Sequence, residues 1–275
     1  MNRCPVCEGT RHYKLIDGRL KCCRCQKRFR RRSAWEISRL SESVKKKLLK
    51  RFVLGVPVYR QRFMSVASAP ATERFYRLIR ACMAYEEQLR EPFEDALEFD
   101  ETTVDEALPE KHGWGALDKV IVFGIIKRNG QVKTMPISAH SRAEVIKKIQ
   151  AHAREGSLYY TDDCHAYVGL RIRGTHVVIR KETGNILDRD YINGIEGFWN
   201  YAKNWLCLYR GLSYKHFHLY LGEVCYRFNH RGEDLQPLLT KLLKTTRDSY
   251  VAHDPVRIRY ESPNGISEKF KKNRA

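Results

Sequence analysis

Three carboxylates, an amide and a lysine carry the chemistry that this chain of 275 residues could perform. Asp100 sits in the middle of the largely apolar stretch Ala96-Leu-Glu-Phe-Asp-Glu-Thr-Thr-Val. A carboxylate is costly to bury there unpaired, which favours a ligand role. Asp162 closes the run Leu158-Tyr-Tyr-Thr-Asp and is preferred over Asp163, which also suits the start of a turn. Asn193, Glu196 and Lys203 lie within Tyr191-Ile-Asn-Gly-Ile-Glu-Gly-Phe-Trp-Asn-Tyr-Ala-Lys-Asn-Trp-Leu-Cys-Leu-Tyr-Arg. Converging carboxylates suit hard divalent cations, typically magnesium, with manganese as a substitute. Two such ions about 4 Å apart stabilise both the attacking and the leaving oxygen of a phosphodiester.

Read as a helix, Tyr191 to Arg210 puts Ile195, Phe198, Trp199, Ala202 and Leu206 on one apolar stripe. Asn193, Glu196, Asn200 and Lys203 form a polar row beside it. Glu196 and Lys203 are two turns apart and face the same way, a carboxylate for a metal and an ammonium for a phosphate. Glu196 is the preferred third ligand, because a third negative charge strengthens the hold on two cations where an amide offers a neutral oxygen. Asn193 is the alternative third residue, or else a helix cap in an Asn-Gly entry turn. Phe198, Trp199 and Trp205 are assigned to the core. His165, His216, His218 and His230 read as core or surface side chains, and Glu101 and Asp105 as solvent-facing.

A second constellation is at the N-terminus. Cys4-Pro-Val-Cys7 and Cys22-Cys-Arg-Cys25 are two paired knuckles flanking a segment that reads as a hairpin with Asp17-Gly18 at its turn. Four thiolates at this spacing suit one structural zinc ion, ligated by Cys4, Cys7, Cys22 and Cys25, with Cys23 a spectator. So small a ribbon buries little core, so the metal supplies its folding energy. Arg28, Arg30, Arg31 and Arg32 follow at once and suit phosphate contacts.

The elements that must position these residues follow from charge and pattern. Residues 1–90 carry 23 Lys+Arg against 7 Asp+Glu, and residues 91–275 carry 28 against 25, so nearly all of the net charge of +19 is N-terminal. Such a surface attracts polyanions, of which nucleic acid is the commonest; an anionic membrane surface is the rival, but no basic amphipathic anchor stands out. The longest strongly apolar run, Val120 to Ile126, is too short to span a membrane, and no signal-peptide core precedes it. The chain is then expected to be cytosolic, and its nine cysteines to be thiols or metal ligands.

Helices are expected from Ser41 or Ser43 to Gly55, over Tyr59 to Met64, and from a Thr72 cap to about Arg90. In the last, Arg74, Arg77 and Arg80 are placed opposite an inward face of Phe75, Leu78, Ile79, Cys82 and Tyr85. This pattern suits a helix-turn-helix, with Arg74 and Arg77 on DNA; a plain helical linker is the alternative. Beyond Glu91 the chain becomes strand-rich. Strands are expected at residues 96–104, 119–128, 131–138, 158–163 and 175–180, with a hairpin at Asn129-Gly130 and a helix over 141–154 capped by Ser141 and Glu144. The Tyr191 helix and a last helix from about Tyr214 to His230 follow. The domains are thus a zinc ribbon at 1–32, a helical DNA-binding region at 33–92, a catalytic domain at 93–247, and a basic tail at 248–275 ending in Lys269 to Arg274.

Three antiparallel strands, a helix, two strands and a helix is the order of the ribonuclease H-like fold, an α/β architecture with a mixed five-stranded sheet. It brings the first strand beside the end of the fourth, so Asp100 meets Asp162 under the helix that carries Glu196. The motifs Cys4 to Phe29, Phe99-Asp-Glu-Thr102, Thr161-Asp162, Asn193-Gly-Ile-Glu-Gly-Phe-Trp199 with Lys203, and Tyr226-Arg-Phe-Asn-His-Arg231 resemble those of bacterial insertion-sequence transposases of the DDE class with an N-terminal zinc ribbon. The resemblance implies cleavage at element ends, strand transfer, assembly as at least a dimer on double-stranded DNA, and a place at the nucleoid in a bacterial cytoplasm. Asp100 and Asp162 would be metal ligands, Glu196 or Asn193 the third catalytic position, and Lys203 a DNA contact. A DNA-binding regulator without catalysis, and a nuclease that does not join strands, are the competing readings.

Overall fold

The computed structural model describes residues 4, 6–7, 9–30, 32–103, 121–128, 130–137, 142–163, 165–179, 192–209 and 216–247. Arg31, Asp105, Asn129, Ser141, Tyr191, Arg210, the side chain of His165 and the tail at 248–275 lie outside them. The chain divides into two units. Among the described residues, one comprises those up to Glu86 together with 232–247, and the other runs from Glu87 to Arg231.

The first unit opens with a three-stranded antiparallel sheet of β1 (His12–Lys14), β2 (Leu20–Cys22) and β3 (Arg28–Phe29). The hairpin expected at Asp17-Gly18 is present. Gly18 takes φ +77°, which favours glycine, and the Asp17 carboxylate accepts from the Arg19 amide at 3.0 Å. A short helix, α1 (Ala34–Ile37), starts in a capping box of Ser33 and Glu36. The next, α2 (Glu42–Val53), is capped by Ser41 and followed by Gly55 at φ +70°.

Three expectations here need correction. Residues 59–64 do not form a helix: Val58–Gln61 is a 3-10 turn after Pro57, which has no side chain to cap it. The following helix, α3 (Ala69–Gln88), starts three residues before Thr72, because Pro70 is tolerated in a first turn and Thr72 bonds back to the Ser68 carbonyl at 3.0 Å. Arg74 and Arg77 are exposed as expected, but Arg80 is only 2% exposed. Four residues on from Tyr76, it shares that buried face and lies over the rings of Phe52 and Tyr76.

The second unit is built on β4 (Ala96–Thr103), β5 (Ile121–Lys127), β6 (Val132–Ile137), β7 (Leu158–Asp162) and β8 (Thr175–Ile179). Their order in the sheet is β6-β5-β4-β7-β8, with β4–β5 and β5–β6 antiparallel and β4–β7 and β7–β8 parallel. The remaining helices are α4 (Arg142–His152), α5 (Asn193–Leu206), α6 (Phe217–Asn229) and α7 (Leu235–Thr245). This is the ribonuclease H-like arrangement.

Strand alternation sorts the core into two layers. Val122, Ile126 and Tyr160 face α5 and α6, packing on Ile195, Phe198, Trp199 and Val224. Leu97, Phe99, Phe123, Ile125 and Tyr159 face the other way, onto Val145 and Ile149 of α4 and onto Tyr167 and Leu170 of a 3-10 segment, His165–Ile172. Neither that segment nor α7 was expected. α7 packs against α1 and α2, and Arg247 bridges to Ser33. Residues 232–247 therefore lie with the N-terminal unit, not with the catalytic domain that the sequence suggested.

Candidate active site

The site grows from the β4–β7 pairing. The two strands are parallel, with Glu98 opposite Tyr160. Two residues further along both strands stand Asp100 and Asp162, on the same face as Glu98 and Tyr160. Both side chains are half-buried, whereas Asp163 is exposed. Burial, with repulsion from Asp162 and Glu196, pushes the Asp100 carboxyl up to about 6. Asp162 and Glu196 therefore both stand close enough for their charge to act on Asp100.

α5 delivers Glu196 to this face. Its N-cap is Ile192, so Asn193 is the first helical residue and not the cap. Asn193 is exposed, and Glu196 and Lys203 are half-buried on the same side of the helix. The helix can approach because two positions lack side chains. A Cβ on Gly124 would stand 2.6 Å from Trp199 Cζ2, and one on Gly194 would stand 2.8 Å from Glu98 Oε2. Gly124 is the register partner of Asp100.

The donor set fits magnesium or manganese, since all three groups offer hard anionic oxygens. It is not a closed cage. Among the described residues, the cysteines are the only group of three or more candidate ligands whose donor atoms all lie within 4.8 Å of one another. An open site leaves room for phosphate and water oxygens in the coordination shell.

In the first unit, Cys4 and Cys25 sulfurs are 3.5 Å apart, as are those of Cys7 and Cys22. Tetrahedral zinc with bonds near 2.3 Å sets sulfurs about 3.8 Å apart, so this cluster can bind zinc with little adjustment. Arg28, Arg30 and Arg32 are exposed nearby in sequence.

A family profile described as an ISXO2-like transposase domain matches residues 94–229. An uncharacterized transposase-like protein of Haemophilus influenzae is 34% identical over 100 residues, which is 36% of this chain and 81% of that protein. The chain belongs to the ISXO2-like transposases. The catalytic core domain of BIV integrase is 13% identical and covers 52% of this chain and 87% of that one, at a TM-score of 0.34. At that distance the likeness adds nothing to the sheet order.

Several residues of this transposase domain escaped the sequence reading. Glu98 is 3% exposed and pairs with Arg128 at 3.0 Å. Its signal was available, since Glu98 shares a strand face with Asp100. Glu101 turns to the opposite face and accepts from the Tyr167 hydroxyl at 3.0 Å, so it is neither solvent-facing nor part of the trio. Burial and the Glu101 charge hold the Tyr167 phenol well above its ordinary value. Residues of the Tyr226 to Arg231 motif tie α6 to its neighbours. Asn229 bonds both the amide and the carbonyl of Val132 on the edge strand β6, and Arg227 pairs with the buried Glu223 while stacking on Trp205. His218 is buried, and His230 packs on Tyr226. Phe198 and Trp199 are core, as the sequence indicated, and Trp205 packs against it.

Proposed function

We propose that this chain is a DNA transposase that binds element ends, cleaves phosphodiesters there and joins the freed 3′ ends to target DNA. Asp100, Asp162 and Glu196 hold the catalytic magnesium or manganese. The observation that supports this most is the placement of Asp100 and Asp162 on one face of two paired parallel strands, with Glu196 of α5 close enough for its charge to act on Asp100. Bound divalent ions at such a site act as Lewis acids and neutralise charge on the phosphate. The residues do the rest. Asp100, with a pKa near 6, gives up its proton readily at neutral pH. Lys203, two turns along α5 from Glu196, offers its ammonium to a DNA phosphate. Asn193 at the helix start is the alternative third residue.

In the N-terminal unit, Cys4, Cys7, Cys22 and Cys25 hold a structural zinc. Arg28, Arg30, Arg31, Arg32, Arg74 and Arg77 contact the DNA backbone, with at least two copies of the chain acting on a pair of ends. The test is strand transfer of a pre-cut element end into plasmid. Asp100→Ala is expected to bind the end normally and join nothing. Joining at the parent rate by that variant would overturn the reading.

A further inference from the structure

One buried carboxylate on the site's own face has no part in that reading. Glu98 lies two residues before Asp100 on β4, so both side chains leave the sheet on the same side. Its oxygens are already engaged. Oε1 accepts from Arg128 Nε at 3.0 Å, and Oε2 accepts from the Ile195 backbone amide at 3.0 Å. With an arginine on one oxygen and a helix amide on the other, this carboxylate is committed to holding two protein groups.

The location of that amide is informative. Ile195 is the third residue of α5 and immediately precedes Glu196. The N-cap residue, Ile192, makes no side-chain capping bond, so Glu98 supplies from the sheet the acceptor that a cap normally supplies from the helix. Negative charge at this end also complements the helix dipole. Arg128 is itself fixed, with its guanidinium 3.5 Å from the ring centre of Tyr160, two residues before Asp162 on β7. The contact closes only because residue 194 is glycine, since a Cβ there would stand 2.8 Å from Glu98 Oε2. The glycine of the Asn-Gly pair is thus the space that the Glu98 carboxylate occupies.

We propose that Glu98 is a positioning residue: clamped by Arg128, it fixes the depth and rotation of the α5 N-terminus on the sheet and so sets Glu196 against Asp100 and Asp162. The inference rests on the reading of those three carboxylates as a divalent-metal site.

The test uses the full chain with its zinc retained and measures Mn2+ affinity from the electron paramagnetic resonance of free Mn2+, well below the melting temperature. Asp100→Asn is the control for the site itself and is expected to abolish binding there. Glu98→Asp, too short to span the gap, and Gly194→Ala, which pushes the carboxylate off the amide, are each expected to weaken Mn2+ about tenfold, as loss of an outer-shell support does. Each variant's affinity is read well below its own Tm, with its far-ultraviolet circular dichroism matched to the parent, so that a weaker hold on Mn2+ cannot be blamed on unfolding. Parent-like affinity in both variants, with binding lost in Asp100→Asn, would leave Glu98 as a plain helix cap and overturn the proposal. Parent-like affinity in Asp100→Asn would overturn the metal site itself and the proposal with it.

Discussion

Asp100 faces Gly124 across the β4–β5 ladder, and the missing side chain at Gly124 is what allows Trp199 and Ile195 of α5 to lie against the sheet beside it. A Cβ there would meet Trp199 at 2.6 Å and Ile195 at 2.9 Å. Gly124→Ala is therefore expected to destabilise the chain by about 1–3 kcal/mol through overpacking. Lifting α5 moves Glu196 as well, so strand transfer is expected to fall while DNA binding holds. Thermal melts and gel-shift titrations of the variant check both halves. An unchanged Tm with full transfer would show that α5 does not depend on this close approach.

Asp100 gives a pH dependence with a definite sign. Its carboxyl is raised from 3.8 to about 6 in the folded chain, so the folded state holds the proton more tightly than the unfolded state. Its contribution is harmless below about pH 4, becomes destabilising as pH rises through 6, and is constant above that. Without magnesium, Asp100→Asn is expected to raise Tm at pH 8, by an amount corresponding to at most about 3 kcal/mol, and to leave it nearly unchanged at pH 4. Melts of both proteins across that range decide it. A Tm difference independent of pH would contradict the cause assigned here.

Much of this site was legible because strand parity is local. Once Ala96 to Thr103 is a strand, Asp100 must share a face with Glu98, while its meeting with Asp162 was read from the order of the elements and not from parity. The row of Glu196 and Lys203 followed from helical spacing alone. What was hidden depends on contacts between distant segments. The fit of Gly194 over Glu98, and of Gly124 under Trp199, is a property of two elements about 70 to 100 residues apart. Burial of Arg80 depends on the aromatic rings that receive it. α7 carries an ordinary amphipathic pattern, but its placement on α1 and α2 is tertiary and left no local mark.

The cysteine cluster is expected to hold a single zinc. Elemental analysis of the purified chain checks this, with Cys4→Ser and Cys25→Ser each losing the metal. Removal by chelator is expected to speed amide exchange across residues 9–30, since the ribbon has little core of its own. Slow exchange there in zinc-free protein would show that the metal is dispensable.

DNA affinity is expected to fall steeply with salt in the full chain. Replacing Arg28, Arg30 and Arg32 with alanine should reduce the slope of log affinity against log salt by about 0.9 for each phosphate that is no longer neutralised. Arg74→Ala and Arg77→Ala should act in the same way. Fluorescence anisotropy on a labelled duplex gives the slopes. A parent-like slope in the triple variant would remove those arginines from the interface.

The assignment of Glu196 beside Asp100 and Asp162 is tested most directly by strand transfer of a pre-cut end in Glu196→Gln and Asn193→Ala, at saturating magnesium and again at saturating manganese. Glu196→Gln is expected to lose at least about a hundredfold in rate with DNA binding and fold intact, since a lost metal ligand removes several kcal/mol of transition-state stabilisation. Asn193→Ala, altering an exposed first-turn residue, is expected to lose only part of its activity. Full transfer by Glu196→Gln together with none by Asn193→Ala would make Asn193 the third catalytic residue and contradict this account.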